Sequence, residues 1–191
     1  LLRARSRCSI DEEKVMQELP APEPVKLFIA ALFSPGPELD GAISMAISRW
    51  GSLDYQSEGQ RFDVTDYYEN EMGQGLLRRI VTFDHLVSPQ VLPRAKHECI
   101  EIESAHREHG KRRVNLDVGY LDHNKIVLAS TKPAGQKIYL EDGIWADIQG
   151  RYAKGRYAPF DWTFPDFADG RYDEDLALIR AKYLEQLRDP V

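Results

Sequence analysis

One segment constrains the fold more than any other. Lys26–Phe33, read KLFIAALF, is a continuous apolar run of strand length. A strand with one wet face alternates apolar and polar residues, so an unbroken run predicts a strand buried centrally in a sheet. The run is far shorter than the roughly 20 residues a membrane helix needs. Ser34-Pro35-Gly36-Pro37 ends it. The chain is 191 residues long, which suits one domain with an extension.

The other elements follow from period and punctuation. Leu39, Ile43, Ala46, Ile47 and Trp50 recur at helical spacing and Gly51 closes the helix. An extended region follows to Val64, then a short helix over Thr65–Met72 ended by Gly73. Leu76–Phe83 reads as a strand. Residues 94–109 alternate in part but favour a helix. Short strand-like runs then occupy 112–120, 125–131, 136–141, 144–152 and 156–160, separated by turns that include Asp142-Gly143, a strong hairpin signal. Asp173–Leu187 is a closing helix with Leu176, Ile179, Tyr183 and Leu187 on one face. The expected class is α+β: a largely antiparallel sheet with a ferredoxin-like β-α-β-β-α-β core, added C-terminal hairpins and a closing helix. A more barrel-like antiparallel sheet decorated by helices is the alternative.

Residues 1–24 read as an extension, dispensable for folding. Ser9 could cap a short helix to Leu19, and Pro20, Pro22 and Pro24 make a stiff linker. The domain proper is expected over 25–191.

Composition narrows the function classes. Hydrophobic residues are 42% and charged residues 29% of the chain, an ordinary globular mix. The net charge of -6 weighs against nucleic acid as the main partner, because phosphate backbones reward a basic surface. Two cysteines, Cys8 and Cys99, cannot make a disulfide framework or a Cys-rich zinc site, and their scarcity fits a cytoplasmic protein. No apolar stretch follows the three arginines of Leu1–Cys8, so no secretory signal is read there. The chain holds no G-x-x-x-x-G-K-[ST] loop, no G-x-G-x-x-G after a strand, no G-x-S-x-G elbow and no H-E-x-x-H.

Three polar segments remain. In Phe62–Gly73, Asp63, Asp66 and Glu71 could hold a divalent cation such as magnesium, or one of them could act as a general base. The alternative is that Asp63 or Thr65 caps the short helix and the other acids sit on its wet face. In Gly110–Tyr120, a strand would put Arg113, Asn115 and Asp117 on one face, a guanidinium–amide–carboxylate row that can orient a polar substrate. The alternative is a solvated strand face with cross-strand ion pairs. Gly119 beside this row lets something approach the backbone closely. In Trp162–Phe167, aromatics around Pro165 suggest either a lid over a pocket or a seal on the core. Arg78 and Arg79 precede an apolar run, and one of them should face the acids or make an ordinary ion pair. His97, His106 and His109 read as a wet helix face, and His123 as part of an exposed turn. The candidate set is therefore Asp63, Asp66 and Asp117 as catalytic groups, and Arg78, Arg79, Lys111, Arg112, Arg113, Asn115 and Tyr120 as binders of a small anionic ligand.

Several segments together resemble a bacterial family of unknown function, domain family 4416. They are KLFIAALFSP at 26–35, FDVTDYYENEMG at 62–73, GKRRVNLDVGYL at 110–121, KIVLAST at 125–131, KIYLEDGIWADI at 137–148 and WTFPDF at 162–167. The resemblance covers residues 25–187. Members are in places labelled GTP-binding, but this sequence lacks the loop that would justify carrying the label over. The family pattern has Asp-Pro-Gly-Tyr where this chain has Asp117-Val118-Gly119-Tyr120, and often His-Arg where it has Gln136-Lys137. Three readings stay open: a site for a phosphate-bearing ligand, a non-catalytic protein-interaction module, and an RNA-associated domain. The last is opposed by the charge and by the lack of an aromatic RNA-binding strand.

Overall fold

The computed structural model describes residues 20–189, so the short helix read over Ser9–Leu19 lies outside the described residues, as does Cys8. In chain order the elements are β1 (Lys26–Phe33), α1 (Glu38–Trp50), β2 (Leu53–Gln56), β3 (Gln60–Arg61), α2 (Glu69–Met72), β4 (Leu77–Phe83) and α3 (Leu92–Ala105). Then come β5 (Arg107–Glu108), β6 (Lys111–Arg112), β7 (Val114–Leu121), β8 (Lys125–Ser130), β9 (Ile138–Glu141), β10 (Ile144–Ala153), β11 (Arg156–Pro159), α4 (Pro165–Ala168) and α5 (Asp173–Arg188). The class is α+β. One nine-stranded sheet runs β11-β10-β8-β7-β1-β4-β2, with β3 also on β4 and β9 also on β10. Every pairing in it is antiparallel.

Every residue of β1 is buried. The cause is that helices cover both faces of the sheet. Leu27, Ile29, Ala31 and Phe33 pack with Leu39, Ala42, Ile43, Ala46 and Trp50 of α1 and with Leu92, Ala95, Cys99 and Ile102 of α3. Phe28 and Ala30 face the other way, onto Phe167 of α4 and Leu176, Ile179 and Tyr183 of α5. Leu32, on that same face, meets Met72 of α2. Period-two alternation thus sends successive apolar residues into two different cores.

Lys26 begins the strand with its stem in the sheet and its ammonium held by Asp54, Gln186 and the Phe83 carbonyl. Burial lowers its pKa from 10.5, against the opposing pull of Asp54.

Two elements differ from their sequence reading. The helix expected from Thr65 forms only over Glu69–Met72. Thr65 Oγ1 accepts the Tyr67 N–H at 3.1 Å and the Asp66 carbonyl accepts the Glu69 N–H at 2.9 Å, so local side-chain and turn bonds replace the first helical turn. The strand read over 112–120 is broken at Arg113. His109 and Gly110, both with positive φ, fold residues 107–112 into a separate ribbon, β5–β6, and β7 starts afresh at Val114.

Candidate functional site

The site exists because the sheet comes apart along one seam. β7 and β8 pair only over Gly119–Leu121 and Ile126–Leu128. Below that point β7 keeps β1 as its only strand neighbour among the described residues, while Ala129 and Ser130 of β8 continue beside β10. The parted edge leaves the Leu116 N–H and C=O without strand partners. Two side chains from α3 replace them. Glu103 Oε1 accepts the Leu116 N–H at 2.7 Å, and Lys96 Nζ donates to the Leu116 carbonyl at 3.0 Å. Lys96 and Glu103 are seven residues apart, two helical turns, and so share one face of α3. A lysine and a glutamate side chain thus occupy the place of a missing strand.

Gly119 stands at the point of divergence. A Cβ there would lie 2.3 Å from the Val127 carbonyl oxygen and 3.0 Å from Phe28 Cζ. The close approach expected beside Gly119 is the approach of β8 itself.

A cavity of about 550 Å³ opens at the seam. Asn115 and Asp117 of β7 line it, with Phe62, Thr65, Tyr67 and Tyr68 from the loop before α2. Phe164, Pro165 and Asp166 close another side, and Ser130, Lys132, Lys137 and Asp147 come from the β8–β10 region. Arg78 joins two of these walls. Its Nη2 donates to Asp117 Oδ2 at 3.1 Å, its Nη1 lies 2.9 Å from Asp166 Oδ2, and its guanidinium lies over the Phe62 ring at 4.8 Å. The side chain is only 2% exposed. Asp166 also accepts from the Tyr172 hydroxyl at 3.1 Å.

The cavity carries five cationic side chains, Arg78, Lys96, Arg112, Lys132 and Lys137, and four carboxyls, Glu103, Asp117, Asp147 and Asp166. Two of the carboxyls are pushed toward their neutral form. Burial raises the pKa of Asp166, against Arg78, and raises that of Glu103, against Lys96. Burial, with Asp117 next, pushes the Tyr68 hydroxyl up to about 12, so it stays protonated and able to donate. Arg112 reaches into the same wall, donating through Nη1 to Asn115 Oδ1 at 2.8 Å and gripping Glu71 with two further nitrogens at 2.8 and 2.9 Å. That grip pulls the Glu71 pKa below its ordinary value.

A family model described as a domain of unknown function, DUF4416, matches residues 23–183. The chain belongs to this family. The matched span contains the parted strands and every residue that lines the cavity. No curated protein and no solved structure matches the chain.

Within this family domain the structure gathers some of the candidate residues and scatters others. Arg78, Arg112, Asn115 and Asp117 line the cavity. Arg113 does not: lying before β7, it points toward the start of α1, with Nε 3.6 Å from Glu108 and 3.9 Å from Glu38. The row Arg113–Asn115–Asp117 is therefore corrected to Asn115–Asp117. Arg79 occupies the opposite face of β4 from Arg78 and lies over the Phe33 ring at 5.7 Å. Tyr120 packs on the α1–α3 core, and Lys111 is exposed with its ammonium 3.3 Å from the Asn70 carbonyl. Asp63 is 60% exposed and pairs with Arg171 at 3.0 Å, and Asp66 is exposed. The segment 62–68 does reach the cavity, but through its aromatic and hydroxyl side chains rather than its acids. Among the described residues no group of three or more His, Cys, Asp or Glu side chains could hold a metal ion. The proposed cation set Asp63, Asp66 and Glu71 is thus not assembled, since Glu71 is committed to Arg112 and Asp63 to Arg171.

Lys96, Glu103, Lys132, Lys137, Asp147 and Asp166 were not read from the sequence as site residues. One signal for the first two was present. The buried stripe of α3 runs Leu92, Ala95, Cys99 and Ile102, and Lys96 and Glu103 fall within it. A cation and a carboxyl two turns apart on an apolar stripe need a polar partner in the core. Asp166 lay inside the aromatic segment 162–167, which both seals and lines: Phe167 enters the core beneath α5, while Phe164 and Asp166 face the cavity. Among the described residues no helix is long and apolar enough to cross a membrane.

Proposed function

We propose that this domain binds a small anionic, phosphate-bearing ligand in the cleft between β7 and β8. The observation that carries the reading is the concentration of cationic side chains there. Arg78, Lys96, Arg112, Lys132 and Lys137 share one cavity in a chain whose net charge is -6. Four carboxyls stand among them, and burial raises the pKa of two, Asp166 and Glu103. Cations in a low-dielectric cleft of an acidic protein favour a small anion over a long polyanion, since field lines focus in the cleft while the outer surface repels. The volume of about 550 Å³ is in the usual range for small-molecule sites. The strand order supports a ferredoxin-like core: β4 separates β1 from β2, and β1 separates β4 from β7, which is two interlocked split β-α-β units.

The test is a thermal-shift screen of nucleotides and sugar phosphates on the parent protein and on Lys132→Ala. Lys132 is exposed and its neighbour in the cavity is Tyr67, whose hydroxyl lies 3.5 Å away. Its removal should leave stability within about 0.5 kcal/mol, so a reduced shift reports on binding. Stabilisation of the parent with a weaker response in the variant supports the reading. No response to any phosphate ligand overturns it.

The competing reading, a non-catalytic protein-interaction module, draws on a different feature. Ile138, Tyr139 and Leu140 of β9 are exposed at 60%, 53% and 38%, on a strand that among the described residues pairs only with β10. An apolar strand edge can accept another chain. Concentration-dependent sedimentation that Tyr139→Lys abolishes would favour it.

A further inference from the structure

Three side chains in the cavity wall hold buried polar atoms with no hydrogen-bond partner among the described residues: Arg78 at Nε, and Asn115 and Asp147. Asn115 is 5% exposed, and its Oδ1 accepts from Arg112 while its Nδ2 has no partner among the described residues. Asp147 is 1% exposed, and its Oδ2 faces Lys137 Nζ at 3.2 Å while its Oδ1 has no hydrogen-bond partner among the described residues. Buried polar groups left in this state are destabilising and uncommon, and a site that receives a ligand is one setting in which they occur.

Asn115 and Asp147 are opposite in kind. Asn115 Nδ2 is a donor and lacks an acceptor. Asp147 Oδ1 is an acceptor and lacks a donor. They also stand on opposite sides of the seam. Asn115 is on β7, beside Arg112 and two residues along the same strand face from Asp117 and its partner Arg78. Asp147 is on β10, opposite Leu128 of β8, and Leu128 is in turn opposite Gly119. Strand spacing of about 4.8 Å and a rise of about 3.4 Å per residue put the Cα atoms of Asp147 and Asp117 roughly 12 Å apart, with Asn115 farther along β7. That span fits a molecule larger than a bare anion. On the Asp147 side, the Lys137 ammonium also donates to Ser130 Oγ at 2.8 Å, so one of its hydrogens is already committed.

We infer that the cleft holds a ligand with two unlike ends: an acidic group at Asn115, Arg78 and Arg112, and a hydroxyl or amino donor at Asp147. The inference rests on the anion-binding reading above and adds polarity to it. The ligand class is a phosphate monoester that bears hydroxyl groups several bonds from the phosphate, as sugar phosphates and nucleotides do. Inorganic phosphate and simple alkyl phosphates satisfy only the β7 end.

Isothermal titration of three probes tests this: inorganic phosphate, ethyl phosphate and ribose 5-phosphate, each on the parent and on Asp147→Ala. A hydrogen bond to a buried charged acceptor should make ribose 5-phosphate bind the parent at least about tenfold more tightly than ethyl phosphate. In Asp147→Ala that ratio should fall to within about threefold, while the affinity for ethyl phosphate holds or rises. Should the single variant not fold by circular dichroism, Asp147→Ala with Lys137→Ala removes the pair together, and the parent comparison alone still decides. Equal affinity of the parent for ethyl phosphate and ribose 5-phosphate overturns the two-ended ligand and leaves the anion site standing. A ratio unchanged in Asp147→Ala overturns the role of Asp147. Failure of all three probes to bind the parent overturns the anion site as well.

Discussion

Gly119 is where the two strands that frame the cleft separate, and Gly119→Ala is a sharp test of that geometry. The added methyl would stand 2.3 Å from the Val127 carbonyl oxygen, 2.8 Å from Leu128 Cδ2 and 3.0 Å from Phe28 Cζ. Two of these neighbours are side chains that can shift slightly. The first is backbone, in a strand held by β7 on one side and β10 on the other. Relief therefore requires β8 to move away from β7 just where the two are hydrogen-bonded. Overpacking of this kind costs about 1–3 kcal/mol, and weakening one or two ladder bonds adds about 1 kcal/mol each. The lower entropy of the unfolded alanine chain returns about 0.4–1 kcal/mol. A net loss of about 2–4 kcal/mol is expected, which for a chain of this size lowers Tm by roughly 5–15 °C. Urea titration followed by circular dichroism gives the free energy, and a thermal scan gives Tm. Gly135→Ala is the matched control, because a Cβ there meets nothing within 4 Å and its φ is not positive. A Gly119→Ala protein within about 0.5 kcal/mol of the parent would refute the close approach of β8 and, with it, the account of how the seam is set.

Arg78→Met should destabilise by about 3–5 kcal/mol, because it leaves Asp117 and buried Asp166 without their shared cation, and adding Asp166→Asn should recover part of the loss in a urea titration. Glu103 titrates above its ordinary value of 4.5 because burial outweighs Lys96, so the folded protein holds a proton that the unfolded chain releases. Its contribution to stability is therefore full below about pH 4.5 and is lost as pH rises through its folded-state pKa. Glu103→Gln should flatten that decline in a series of melts from acid to neutral pH, and a variant with the parent's slope would contradict it.

Much of the framework could be read before the structure. The run 26–33 implied a strand covered on both faces, and β1 has that environment because α1 and α3 cover one face and α4 and α5 the other. The periodicity of 38–50 and of 173–187 gave α1 and α5 almost to the residue, and the Asp142-Gly143 turn marked the β9–β10 hairpin. These are short-range facts, fixed by spacing, glycine conformation and the need to bury an apolar stripe. The short helix after Thr65 and the strand through Arg113 were misread where polar side chains and a tight turn outcompeted the regular ladder.

The site was legible only in fragments. Asn115 and Asp117 share a face by alternation alone, and the sequence could say so. Alternation also puts Arg78 and Arg79 on opposite faces, but with helices on both sides of the sheet nothing local says which face holds the cleft. That depends on β7 lying beside β1 in the register Ala30 to Asp117, with Arg78 opposite Leu32 on the other flank. The parting of β7 from β8 is likewise a tertiary fact. It frees the backbone of Leu116, recruits Lys96 and Glu103 from a helix, and draws Asp147 and Asp166 from distant segments into one cavity. Sequence spacing fixes which side chains share a face of one element, whereas the meeting of faces from different elements is fixed only when the whole sheet closes on its two cores.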